Sequence, residues 1–171
     1  MNAIASRIAR PTLDRPKGMP NAPYLEERTT LRVRFHEVDA LHIVWHGHYV
    51  SYLEEGRRGF GRRYGVDYPV FLEHQVPVPV VQLELNYFAP ARLADVLEVT
   101  TRLLKSETPK LVFEYDIRRE GQEWLLASGR TVQVFATPAG ELILAWPPFM
   151  RERLAAWEPL WKHPLPIPPS A

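Results

Sequence analysis

The sequence predicts an α+β domain, one long helix against an antiparallel sheet, on three observations. Apolar positions from Tyr49 to Tyr64 recur every three or four residues, with Glu54, Glu55, Arg57, Arg58, Arg62 and Arg63 between them. That is the pattern of a helix with one buried face. Beyond Pro69 the apolar period falls to two and stays there, as in half-buried strands. The turns between those alternating runs, Glu120-Gly121-Gln122 and Pro138-Ala139-Gly140, are too short for the crossovers a parallel sheet needs.

The first element is a strand over residues 31–35, where Leu31-Arg32-Val33-Arg34-Phe35 alternates apolar and polar. The helix follows over residues 48–64, about four turns. Gly56, Gly59 and Gly61 interrupt it, each costing roughly 1 kcal/mol relative to Ala. A second backbone pressed onto the helix would account for them. Four strands are expected over residues 80–88, 96–105, 111–118 and 124–135, all rich in β-branched and aromatic side chains. A short last strand at 142–145 and a terminal helix at 150–157 complete a domain placed at residues 30–157. Of the 17 prolines, those at 11, 16, 20 and 23 and at 159, 164, 166, 168 and 169 crowd the two ends. Residues 1–29 and 158–171 are therefore expected as a flexible N-terminal arm and a proline-rich tail.

The chain has 171 residues, 46% hydrophobic and 24% charged, the balance of one ordinary globular domain. Its 21 Lys+Arg nearly cancel 20 Asp+Glu, so no global field draws it to nucleic acid or an anionic membrane. Cysteine is absent, which removes disulfides, thiolate metal sites and Cys nucleophiles. No apolar run approaches the ~20 residues of a membrane span. Arg7, Arg10, Arg15 and Lys17 allow an organelle transit peptide as an alternative reading of the first arm. Without an apolar leader, a cytoplasmic protein is the simpler expectation.

Several chemistries are excluded. No G-x-S-x-G elbow exists, since Ser51 and Ser128 lie in other contexts. No Walker A sequence is present, and the glycine-rich run from Gly56 to Gly65 misses G-x-G-x-x-G because Tyr64 holds the last glycine place. The Arg pairs within that run read either as a solvated helix face or as contacts to an anionic ligand.

The unusual stretch is the junction between first strand and helix, from Phe35 to Tyr49. His36, His42, His46 and His48 stand there with Glu37 and Asp39. One reading is a polar loop in which Asp39 and His46 make local turn and capping bonds. Another is a zinc or iron site using His42, His46, His48 and Asp39, although the spacing matches no established ligand pattern. A third is catalysis by a single carboxylate, Asp39, lying just before a helix whose unpaired N–H groups favour developing negative charge.

Glu37-x-Asp39-Ala40, Val44-Trp45-His46, Tyr49, Tyr52 and Glu54, with Pro90-Ala91-Arg92 and Asp95 further on, resemble the signature of the 4-hydroxybenzoyl-CoA thioesterase group of the hotdog superfamily. This group includes the acyl-CoA thioesterases associated with the Tol-Pal system. The resemblance covers about residues 30–157. It implies a hotdog fold, a long central helix wrapped by a five- to six-stranded antiparallel sheet, with no cofactor and no metal. It also implies a homodimer or homotetramer, paired edge to edge, with active sites between subunits and an acyl-CoA substrate.

By the same resemblance Asp39 is the catalytic carboxylate, attacking the thioester or activating water. His46 offers its backbone N–H, helped by Gly47, to the oxyanion, and its side chain positions water or the carboxylate. Trp45 is a bulky residue by the site, either a substrate wall or a core aromatic. A thioester suits so spare a site, because its thiol, with a pKa near 8.5, leaves without a strong acid. Two departures stand out: Phe35 where relatives carry Tyr, and His48 where they carry Asn. A non-catalytic acyl-thioester binding protein and a hotdog hydratase or dehydratase are the competing functions.

Overall fold

The computed structural model describes residues 22–163. In chain order its elements are β1 (Tyr24–Arg32), α1 (His48–Tyr64), α2 (Tyr68–Glu73), β2 (Val80–Tyr87), β3 (Val96–Leu104), β4 (Lys110–Arg119), β5 (Leu125–Val134) and α3 (Pro148–Trp157). Single 3-10 turns lie at Phe35–Glu37 and Glu158–Leu160. The strands form one five-stranded sheet in the order β1-β3-β4-β5-β2. Each neighbouring pair is antiparallel, so the α+β class read from the sequence is the class observed.

Helix α1 lies on the sheet with Tyr49, Tyr52, Leu53, Gly56 and Phe60 buried. Its charged residues occupy the remaining positions, and Gly65 in the left-handed region (φ 73°) ends it. The glycines do what their cost suggested. A Cβ on Gly56 would sit 2.7 Å from Val99 Cγ1, and one on Gly59 would strike the Thr29 side chain. Both neighbours belong to strands, so the helix axis rides unusually close to β1 and β3. Phe60, fully buried, meets Phe113 edge-on at 5.3 Å. Truncating an aromatic in such a place costs about 3–5 kcal/mol.

Three boundaries differ from the sequence reading. The first strand was expected at 31–35 but is β1, from Tyr24 to Arg32, so six residues assigned to the N-terminal arm, 24–29, belong to the sheet. Glu26, Glu27 and Arg28 mask the alternation there. Their pairing lies across the sheet, Glu26 with Arg102 at 2.9 Å and Arg28 with Glu98 at 3.4 Å. The strand stops early because Glu37 Oε2 accepts the Arg34 N–H at 2.7 Å and curls the chain. No named strand forms at 142–145. Ala136 and Leu142 make only an isolated bridge, and Pro147 and Pro148 lie too close downstream for a ladder to grow.

The tail also begins later than residue 158. Trp161 is buried, and Lys162 exchanges backbone bonds with Tyr24 at 2.8 and 2.9 Å. Helix α2, which the alternation after Pro69 concealed, is capped by the Asp67 carboxylate on the Tyr68 N–H. The remaining proline-rich stretches lie outside the described residues.

The two sheet edges contrast. Edge strand β1 carries Glu26, Glu27, Arg28 and Arg32, the charge that blunts an edge. Edge strand β2 carries Val80, Val81 and Leu83, all exposed. Gln82 Nε2 bonds Glu84 Oε1 on one face of β2, while Tyr87 on the other reaches α1. Leu83 and Leu85 share Tyr87's face by the two-residue period, so β2 holds an apolar row toward the helix side and polar residues outside.

Candidate active site

The chain passes from β1 to α1 through a loop folded on itself. Val38 bridges Val44, the Asp39 N–H donates to Ile43 O at 2.9 Å, and the Trp45 N–H donates to Glu37 O at 2.9 Å. His42, at φ 58°, turns the tip; His tolerates that left-handed region better than most residues. A buried strut fixes the loop to the helix: Glu37 Oε2 accepts from Tyr52 Oη at 2.8 Å as well as from Arg34 N. Burial, reinforced by the Glu37 carboxylate, pushes the Tyr52 hydroxyl far above the ordinary tyrosine range.

The Pro90–Asp95 segment forms the second wall. Ala91, fully buried, accepts the Val44 N–H and donates its own N–H to Tyr49 Oη, both at 2.9 Å. Asp95 Oδ2 accepts from Arg92 N and from the Arg119 guanidinium, each at 2.8 Å. The loop is thus held from two sides before any ligand arrives.

Within this frame Asp39 is half-buried. Its Oδ1 accepts from Leu41 N at 2.8 Å and, more weakly, Ile43 N at 3.5 Å. Its Oδ2 makes no hydrogen bond among the described residues. Trp45, His46 and Gly47 form the turn that opens α1. His48 N donates to Trp45 O at 3.0 Å and Tyr49 N to His46 O at 3.4 Å, whereas the amides of His46 and Gly47 donate to nothing among the described residues. Tyr87 Oη donates to His46 O at 2.9 Å, tying the turn to the end of β2. The Trp45 indole folds over Gly47, where any Cβ would collide with its ring. It touches the rings of His46 and His48 at centroid distances of 4.8 and 5.6 Å.

Three of the four site residues named from the sequence therefore share one turn, and Asp39 stands in the same folded loop. The carboxylate has one oxygen engaged and one available. Two backbone donors sit at the positive end of a 17-residue helix. Among the described residues no group of three or more His, Cys, Asp or Glu is arranged to hold a metal ion, and no helix is long and apolar enough to cross a membrane. Arg57 is committed to Glu54 and Tyr68, Arg58 to Glu55 and Arg63 to Glu27.

Sequence reasoning missed Tyr87, whose role depends on β2 ending beneath the helix start. It also gave no task to Glu37, Tyr52 or Ala91, although all three lie in the quoted motif. The signal for Glu37 and Tyr52 was their separation, which pairs a loop acid with a buried helix face.

A family model for the thioesterase-like superfamily matches residues 33–154. The chain belongs to that superfamily. Among curated members, the acyl-CoA thioester hydrolase YbgC of Escherichia coli is 31% identical over 86 residues, covering 50% of this chain and 64% of the relative. The match thus spans less than two thirds of that relative's length. A hypothetical protein, TT1821, from Thermus thermophilus is 35% identical and superposes with a TM-score of 0.68 over 77% of this chain and 97% of its own. The DHNA-CoA thioesterase of Staphylococcus aureus, 22% identical, shares the fold with a TM-score of 0.71 over 79% and 92% of the two chains. The hotdog architecture expected from the sequence is the one these superfamily structures share.

Proposed function

We propose that this superfamily member is an acyl-CoA thioesterase, hydrolysing an acyl- or aroyl-CoA to the free acid and CoA. The observation that carries the reading is the pair of unused amides at His46 and Gly47 at the start of α1, in the same folded loop as a carboxylate, Asp39, with an uncommitted oxygen. In the reaction Asp39 Oδ2 takes a proton from water while the water oxygen attacks the thioester carbon. The carbonyl oxygen becomes an oxyanion that accepts from the His46 and Gly47 N–H groups. Collapse then breaks the carbon–sulfur bond, and the CoA thiolate takes up the proton. Direct attack by Asp39, with water cleaving the resulting anhydride, uses the same groups. The His46 ring, exposed beside the amides, orients the water.

One oxyanion donor is typically worth about 10²–10³ in rate, and a general base about 10²–10⁴. Asp39→Asn should therefore lower thiol release by at least ~10²-fold, with fold and assembly kept. Undiminished turnover would remove Asp39 from the reaction. The turn bonds Asp39 already makes favour one competitor, a module that holds acyl-CoA without cleaving it. Tight binding with no thiol release across acetyl-, lauroyl- and benzoyl-CoA would establish that competitor.

The working unit in this reading is at least a homodimer joined through β2. A long apolar edge left open is an aggregation hazard. A two-fold pairing of β2 with its copy satisfies the open N–H and C=O groups and covers Val81 and Leu83.

A further inference from the structure

Unlike α1 and α3, helix α2 buries none of its six residues. It stands on one side of a cavity of about 930 Å³, whose other walls come from α1, β4, β5 and the turn at 137–140. Leu111 and Phe113 of β4, with Val76 beyond α2, keep the walls mostly apolar, and the volume falls within the ~300–1,000 Å³ range of small-molecule sites. From α2 itself Tyr68, Phe71 and Leu72 line the cavity, the i, i+3, i+4 face of the helix. Yet Leu72 is 75% exposed and Tyr68 51%. The mouth is therefore open along α2, and the face that would close it is already apolar.

Helix α2 is anchored at both ends and loosely held between them. At its start Val66 and Asp67 press on Gly61 of α1, where a Cβ would come within 2.9 Å of Asp67 Cα. At its far end the His74 ring stacks on buried Phe149 of α3, with centroids 4.2 Å apart and planes 3° from parallel. Between these anchors Tyr68 Oη accepts from Arg57 and donates to Glu54 Oε2 at 3.2 Å. The turn that follows holds a strained residue. Gln75 N–H donates to Leu72 O and Val76 N–H to Phe71 O, each at 3.0 Å, a helix-ending turn whose left-handed position favours glycine. Gln75 occupies that position at φ 54°. A side chain there costs about five- to thirtyfold in equilibrium against an ordinary φ.

We propose that α2 is a lid held open by Arg57 and Tyr68, and that it rolls inward between its two anchors when a small apolar molecule enters the cavity. Rolling carries Leu72 over the mouth, parts Tyr68 Oη from Arg57 and lets Gln75 return to a negative φ. A ligand shifts such an equilibrium only through contacts it makes in one state, and here Leu72 supplies them. The lid does not depend on thioester cleavage, so either reading can fail alone.

The full chain, titrated calorimetrically with sodium laurate below its micelle concentration, provides the test. Leu72→Ala should weaken binding about tenfold, since it removes most of the apolar area that closure buries. Gln75→Gly takes away the strain that closure relieves, so Kd should rise about five- to thirtyfold while Tm does not fall. Gln75→Asn, also tolerant of positive φ, should move Kd the same way and stands in if the glycine variant shows no thermal transition. Tyr68→Phe frees the latch, and Kd should drop about two- to tenfold. A fixed wall produces neither of these last two shifts. Because the chain has no cysteine, Leu72→Cys adds a single thiol whose alkylation by iodoacetamide follows the lid. Saturating laurate should slow that alkylation about tenfold or more, and leave unchanged a Ser51→Cys control at an exposed position of α1. Affinity within about twofold of wild type for either Gln75→Gly or Tyr68→Phe overturns the lid. So does alkylation indifferent to laurate, or a wild type that binds no laurate.

Discussion

Tyr52→Phe removes one oxygen and tests how the candidate site is held. That hydroxyl donates at 2.8 Å to Glu37 Oε2, a carboxylate 6% exposed whose other hydrogen bond is to Arg34 N. A hydrogen bond to a charged group contributes about 1.5–3 kcal/mol. In a chain of this length each kcal/mol moves Tm by about 2–4 °C, so the variant should melt roughly 3–12 °C lower. The loss should also reach the reaction, because Glu37 O accepts the Trp45 N–H immediately before the free amides. A fall in kcat with little change in KM is expected.

A pH series adds a signature that packing alone would not give. The raised pKa of Tyr52 means its folded-state stabilisation is complete below the ordinary tyrosine pKa of about 10 and is lost as pH climbs above it. The wild type should therefore weaken above about pH 10, and the variant less so. Buried Tyr115, whose hydroxyl is also raised by burial, keeps part of the alkaline loss in both. Differential scanning calorimetry and a thiol-release assay make the measurements. A Tm within about 1 °C of wild type, with kcat unchanged, would refute the strut.

Three further outcomes follow from the packing. Gly56→Ala gains about 1 kcal/mol of helix propensity but places a Cβ 2.7 Å from Val99 Cγ1, an overpacking cost of about 1–3 kcal/mol. Tm should fall, and a rise would mean that α1 rides farther from β3 than described. Leu83→Lys puts a charge in the apolar row of β2, so sedimentation should show monomer, with thiol release lost in proportion. Arg102→Met leaves Glu26 and Asp116 without the guanidinium that contacts both at 2.9 Å. Burial raises the Glu26 pKa, but Arg102 and Lys162 outweigh it and hold the carboxyl below its ordinary value. That stabilisation is present above about pH 4.3 and lost as pH falls through the depressed pKa. The Tm gap between wild type and variant should thus be wide at neutral pH and close toward pH 3.

The sequence by itself determined the helix over His48–Tyr64, the four long strands after it and the α+β class, because hydrophobic period is a local property. It also singled out Asp39 and the Trp45-His46-Gly47 turn, since residues so near in the chain stay near in space. Only the tertiary structure could decide that Glu26 and Arg28 belong to a strand, since their countercharges lie about seventy residues away. The same holds for Tyr87, which reaches His46 across 41 residues, and for a cavity assembled from helices and strands far apart in sequence. Such contacts depend on where the sheet brings its strand ends, and no short window of residues encodes that.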